Sequence, residues 1–125
     1  MVSIDSWWNG NVRDRNSAVL ELVILSIGDD YESLENILGT INEGDADWGP
    51  EHWPARNAIP VSRREVVHAL AELAREGYAQ AFLLDSGEAE PVQFQENVVQ
   101  YLWFCVTPRG LDAIKRLYER VPDLT

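Results

Sequence analysis

The order of local signals across residues 61–109 constrains this chain more than any other feature. A capped amphipathic helix is followed by a tight turn, a strand, a long connection, a second strand and the start of another helix. Ser62 and Glu65 have the spacing of a capping box, in which each side chain satisfies a backbone N–H of the other residue. Val61 and Val66 stand where a hydrophobic staple would close over it. Within 62–76, Val66, Leu70, Leu73 and Ala74 recur at helical spacing as an inward face, leaving Arg63, Arg64, Val67, His68, Ala71 and Arg75 outward. Residues 78–84 and 98–106 are expected to form an antiparallel pair, the second member being β-branched and aromatic throughout. The connection 85–97 carries Gly87 and Pro91. Thr107 then caps a helix over 108–120, with Pro108 in the first position, where its missing N–H costs nothing. Leu111, Ile114, Tyr118 and Val121 are its expected buried stripe.

Two more helices are predicted upstream. The first covers 14–27, capped by Asp14 or Asn16, with Val19, Leu20, Val23, Ile24 and Ile27 at helical spacing. Leu22 and Leu25 add a second apolar side, which predicts a central helix covered on more than one face. The second covers 30–43, capped by Asp30 and closed by Gly44, with Leu34, Ile37, Leu38 and Ile41 as its stripe. Glu32 and Glu35 fall in its first turns, where the helix dipole favours negative charge. Residues 45–60 have no helical periodicity. Trp48, Pro50, Trp53, Pro54 and Pro60 make them a Trp/Pro-rich loop, read as a plug over the core with a binding loop as the alternative. Residues 1–12 are an irregular lead-in whose Trp7 and Trp8 are expected to pack on the domain. The fold class is therefore α+β, mostly α, in a single domain over 1–125.

Charge divides the chain sharply. The net charge is −11, and residues 16–55 contain no Lys or Arg. Residues 76–108 again contain no cation, against Glu76, Asp85, Glu88, Glu90 and Glu96. The basic residues fall into three groups: Arg13 and Arg15; Arg56, Arg63, Arg64 and Arg75; and Arg109, Lys115, Arg116 and Arg120. Such asymmetry marks either a binding surface or a solvated exterior. No apolar run reaches the roughly 18 residues a membrane span requires, and no basic segment leads into an apolar stretch at the N-terminus. A single cysteine, Cys105, fits a reducing cytoplasm.

Residues 62–78 (SRREVVHALAELAREGY) resemble the recognition helix and Gly-Tyr exit of winged-helix transcription regulators, in particular the multiple-antibiotic-resistance regulators and the phenolic-acid-decarboxylase repressors. Residues 103–110 (WFCVTPRG) are similar to their strand leading into the helix after the wing. The resemblance implies a winged helix with three to four helices and a two-stranded antiparallel wing containing Asp85, Gly87, Glu88 and Glu90. It also implies that Arg63, Arg64, Val67 and His68 meet the major groove, with Arg56 near phosphates. The Ser62 N–H at the helix start would meet a phosphate as well. The partner it implies is duplex DNA, bound by a regulator that can be a homodimer. An acidic wing would repel the phosphate backbone, so the alternative partner is a protein, met by a winged-helix frame that has lost DNA binding.

Catalytic chemistry has no support in the sequence. His52 beside Asp47 and Glu51 lacks a second His or a Cys for a metal site. Cys105, between Phe104 and Val106, reads as an inert buried thiol and His68 as a surface histidine. With no phosphate loop, nucleophile elbow or dinucleotide fingerprint, neither an enzyme nor a cofactor is expected.

Overall fold

A computed structural model describes residues 15–43, 59–85 and 87–120. Its elements are α1 (Arg15–Ser26), β1 (Glu32–Ser33), α2 (Leu34–Asn42), α3 (Arg63–Arg75), β2 (Ala79–Asp85), β3 (Glu88–Val92), a 3-10 helix (Glu96–Tyr101), β4 (Trp103–Val106) and α4 (Pro108–Arg120). The fold is α+β and mostly helical, with a four-stranded antiparallel sheet in the order β1-β4-β2-β3.

The two-sided apolar pattern of α1 has the consequence expected of it. Residues 17–24 are all buried, Glu21 among them, and α2, α3 and α4 all pack against this helix. Ile24, Ile37, Leu70, Leu73 and Phe104 are each 0% exposed and belong to one core cluster. Burying aliphatic side chains of this size contributes roughly 1.5–3 kcal/mol apiece, which is why α1 tolerates so few polar positions.

α3 forms as its grammar predicts. The Ser62 hydroxyl accepts from Glu65 N at 3.1 Å, and Ser62 N donates to Glu65 Oε1 at 2.9 Å. Gly77 ends the helix at φ +82°, where a Cβ would be strained. Tyr78 N then donates to Leu73 O at 2.9 Å and Gly77 N to Ala74 O at 3.2 Å, a Schellman closure. Val67 departs from expectation: it is buried, at 8% exposure, and belongs to the core cluster with Val66 and Leu70.

The second helix begins later than its sequence suggests. Asp30 does not cap it; the Asp30 carboxylate accepts from Tyr31 N at 2.7 Å, and Ser33 Oγ caps α2 by accepting from Asn36 N at 3.2 Å. Glu32 and Ser33 are extended instead, pairing with Phe104 and Trp103 and so satisfying the far side of β4. The helix ends at Asn42; Gly44 lies outside the described residues.

The sheet corrects the expected two-stranded pair. β2 does pair with β4, from Ala79↔Val106 to Phe82↔Trp103, but it also pairs with β3, from Ala81↔Val92 to Asp85↔Glu88. Part of the expected loop 85–97 is thus a strand, turned tightly at Gly87 with φ +84°. Its sequence, Glu-Ala-Glu-Pro-Val, has low strand propensity, and an edge position tolerates Pro91. Residues 98–101 are not strand but part of the 3-10 helix. The segment kinks at Val98; Val99 within it and Leu102 just beyond it are buried (5% and 2% exposed), while Tyr101 is exposed (66%).

α4 spans the predicted residues but is rotated. Ala113 and Leu117 are buried and Ile114 partly so, while Leu111 (53%) and Tyr118 (49%) are exposed. Val121 lies outside the described residues. Gly110 explains the rotation, because a Cβ there would lie 2.1 Å from Tyr78 O. The helix meets the α3–β2 junction through its glycine, and that contact selects 110, 113, 114 and 117 as the inner positions. Residues 1–12 and most of the 45–60 loop are outside the described residues.

Gly110→Ala should lower stability by about 1–3 kcal/mol in urea melts, since the Tyr78 carbonyl must move. Leu70→Ala should cost about 2–5 kcal/mol. A change below about 0.5 kcal/mol in either variant would contradict the packing described.

Candidate functional site

The start of α3 is where local grammar and charge converge, so its side chains determine what this end of the molecule can bind. Asn42, at the end of α2, clamps the preceding residue: its Nδ2 donates to Val61 O at 2.9 Å and its Oδ1 accepts from Val61 N at 2.7 Å. Glu65 closes the capping box and also receives Arg15 from α1, whose Nε lies 2.7 Å from Oε2 and whose second nitrogen lies 3.0 Å from Oε1. The Arg15 guanidinium, followed by the Ser62 backbone N–H, holds the Glu65 carboxyl down at about 2. Three elements are thereby tied to one helix start.

This arrangement leaves little for a phosphate. The Ser62 N–H already donates to Glu65. Arg63 is exposed but forms an ion pair with Glu35 of α2. Arg75 likewise pairs with Glu72. Arg109 stacks over the Tyr78 ring, with its guanidinium carbon 4.6 Å from the ring centroid. Arg64 and His68 remain exposed, and among the described residues Arg64 has no ion-pair partner within 4 Å. Both line a cavity of about 260 Å³ between α1 and α3, whose apolar wall is formed by Val19, Leu20 and Ala69. Val67, expected at the same face, faces the core instead.

The hairpin tip carries the expected acids. Gly87, Glu88 and Glu90 are exposed; the Asp85 side chain and all of Arg56 lie outside the described residues. The structure thus brings Ser62, Arg63, Arg64 and His68 together at α3 and keeps Gly87, Glu88 and Glu90 on the separate β2–β3 hairpin. Sequence reasoning missed the partners that fix this helix start: Glu35, which pairs with Arg63, Arg15, which pairs with Glu65, and Asn42, which holds Val61. They come from elements distant in sequence, and no local spacing signals them.

Cys105 is half-buried. Burial pushes its thiol up first, followed by the negative charges of Asp30, Asp29 and Glu32, so the thiolate is disfavoured. Among the described residues, no group of three or more His, Cys, Asp or Glu side chains is placed to hold a metal, and no helix is long and apolar enough to cross a membrane. Asp47, Glu51 and His52 lie outside the described residues. Comparison with protein-family models, with curated proteins and with solved structures finds no match to this chain.

The Glu65 carboxyl falls from an ordinary 4.5 to about 2 on folding, so its stabilising effect is fully present above pH 4.5. It is lost as the pH falls through that range towards about 2. Glu65→Gln should therefore melt below the wild type at pH 7, with the gap closing between pH 4.5 and about 2. A gap independent of pH would show that the ion pair with Arg15 is not what lowers this group.

Proposed function

We propose that this chain is an acidic protein-interaction module built on a winged-helix-like frame, and that it does not use α3 to bind duplex DNA. The observation carrying this reading is the engagement of the phosphate-seeking groups at the start of α3. Ser62 N–H is held by Glu65 and Arg63 by Glu35, while the β2–β3 hairpin adds exposed Glu88 and Glu90 without any cation. Non-specific duplex affinity comes mainly from phosphate neutralisation by Lys and Arg. Two carboxylates at the helix start and two on the hairpin oppose it. The winged-helix part of the reading is supported by element order: a helix, a short strand, two helices and a hairpin, with the short strand paired back to the sheet. It also rests on the resemblance of residues 62–78 and 103–110. No reaction is assigned, and a reducing cytoplasm suits the half-buried Cys105 thiol.

A DNA-binding regulator is the second reading, favoured by the exposure of Arg64 and His68 on one side of α3. In that reading the exposed Leu111 and Tyr118 of α4 would serve a homodimer contact.

Fluorescence anisotropy with labelled random duplex at about 50 mM salt separates the two. Wild type should show no saturable binding, and Glu35→Gln combined with Glu88→Gln and Glu90→Gln should create it by releasing Arg63 and discharging the hairpin. Saturable wild-type binding that Arg63→Glu and Arg64→Glu abolish would overturn the interaction-module reading.

A further inference from the structure

The sheet has two faces of different character. Ala79, Ala81 and Phe104 point to the helices and are buried. Strand alternation puts Phe82, Leu84, Trp103 and Cys105 on the opposite face. The β1–β4 register carried one residue further sets Tyr31 beside Cys105, and its ring meets Phe82 edge-on with centroids 4.9 Å apart. An antiparallel sheet with one face on the core ordinarily shows a polar second face to water. Here that face is largely aromatic and aliphatic, with Gln80 and Ser33 as polar positions on it. Leu84 is 41% and Tyr31 39% exposed, while Phe82 and Trp103 are half-buried.

The charge around this face has one sign. Residues 29–33, 79–92 and 103–106 contain no Lys, Arg or His. Of their acids, Glu32, Glu88 and Glu90 fall by register on the other face, with Phe104 and Leu83. Asp29 and Asp30, in the loop before Tyr31, stand at the margin of this one. The negative charges of Asp29 and Asp30 reach the Cys105 thiol, and both precede Tyr31, which the register sets beside Cys105, so these two acids lie near the aromatic cluster in space as well as in sequence. An apolar strip with acids at its margin and no cation on any strand is complementary to a helix with one apolar and one basic face.

Building on the interaction-module reading, we infer that the outer sheet face formed by Tyr31, Phe82, Leu84 and Trp103 docks a basic amphipathic helix of a protein partner, with Asp29 and Asp30 meeting its cations. Apolar residues of the partner helix lie across Phe82 and Leu84, giving the sheet the second covering layer it lacks among the described residues. Its basic flank lies towards the loop between α1 and β1. A nucleic acid or an anionic membrane would meet only repulsion on these strands.

The probe is a fluorescein-labelled synthetic helix of about 15 residues with leucines on one face and arginines on the other. Controls carry glutamate for every arginine, or serine for every leucine. Full-length protein should bind the first and neither control. Amide shifts in labelled protein should be confined to residues 29–33, 80–84, 89–91 and 103–105. Leu84→Ser should weaken binding about tenfold. Asp29→Asn with Asp30→Asn should weaken it by a similar factor and flatten its salt dependence. Glu43→Gln with Glu76→Gln, which changes net charge equally on the helix ends, should leave affinity within about twofold. Unchanged melting temperatures would verify that the Leu84 and Asp variants fold.

Equal loss in the helix-end variant, shifts elsewhere, or equal binding of the serine control would overturn the inference in favour of bulk charge attraction. Concentration-dependent self-association lost in Leu84→Ser would overturn it in favour of a second copy of this chain. Tighter peptide binding in Trp48→Ala with Trp53→Ala would assign the face to the chain's own 45–60 loop, and also overturn it. Failure of the peptide with no duplex binding would sink this inference alone; saturable duplex binding would sink the reading it rests on.

Discussion

A helix with apolar side chains on more than one face is stable only when its neighbours enclose it, and α1 imposes that condition here. α2, α3 and α4 surround it, and even Glu21 is shut from solvent. The positions of α3 and α4 are consequences. Val67 joins that core although its position in the sequence pattern of α3 is outward. α4 approaches through Gly110 because any Cβ would strike the Tyr78 carbonyl. The sheet is anchored to the same core: Val106 N donates to Ile27 O at 3.2 Å just past the end of α1, and Thr107 N to Tyr78 O at 3.1 Å. Close packing passes each of these constraints to the next element.

Around that core, several of the described cations have partners within the fold. Arg15 ties α1 to the cap of α3, Arg63 ties α3 to α2, and Arg109 rests on Tyr78. Exposed ion pairs such as these contribute little to stability individually. Their larger effect is on recognition, because they lower the positive potential a polyanion would need. The sheet meanwhile has no cation on any described strand, while Arg64 stays exposed at the start of α3.

The capping box of α3, its end at Gly77, the cap-and-proline start of α4 and the covering of α1 on more than one face were determined by the sequence alone. Each depends on residues within one helix turn of one another, where spacing and geometry are linked directly. The positions of Arg63 and Arg64 at the start of α3 were equally readable. Tertiary structure decided the rest. Val98 and Val99 have strand composition, yet the chain kinks there within a 3-10 segment that buries Val99, with Leu102 buried just beyond it. Residues 88–92 lack strand composition, yet β2 offers a ladder and they complete it. The face of α4 was set by a backbone contact with Tyr78, and the availability of Arg63 by Glu35, a residue on another helix. Such choices depend on groups far apart in the chain meeting in space, and local periodicity carries no record of which partners will meet.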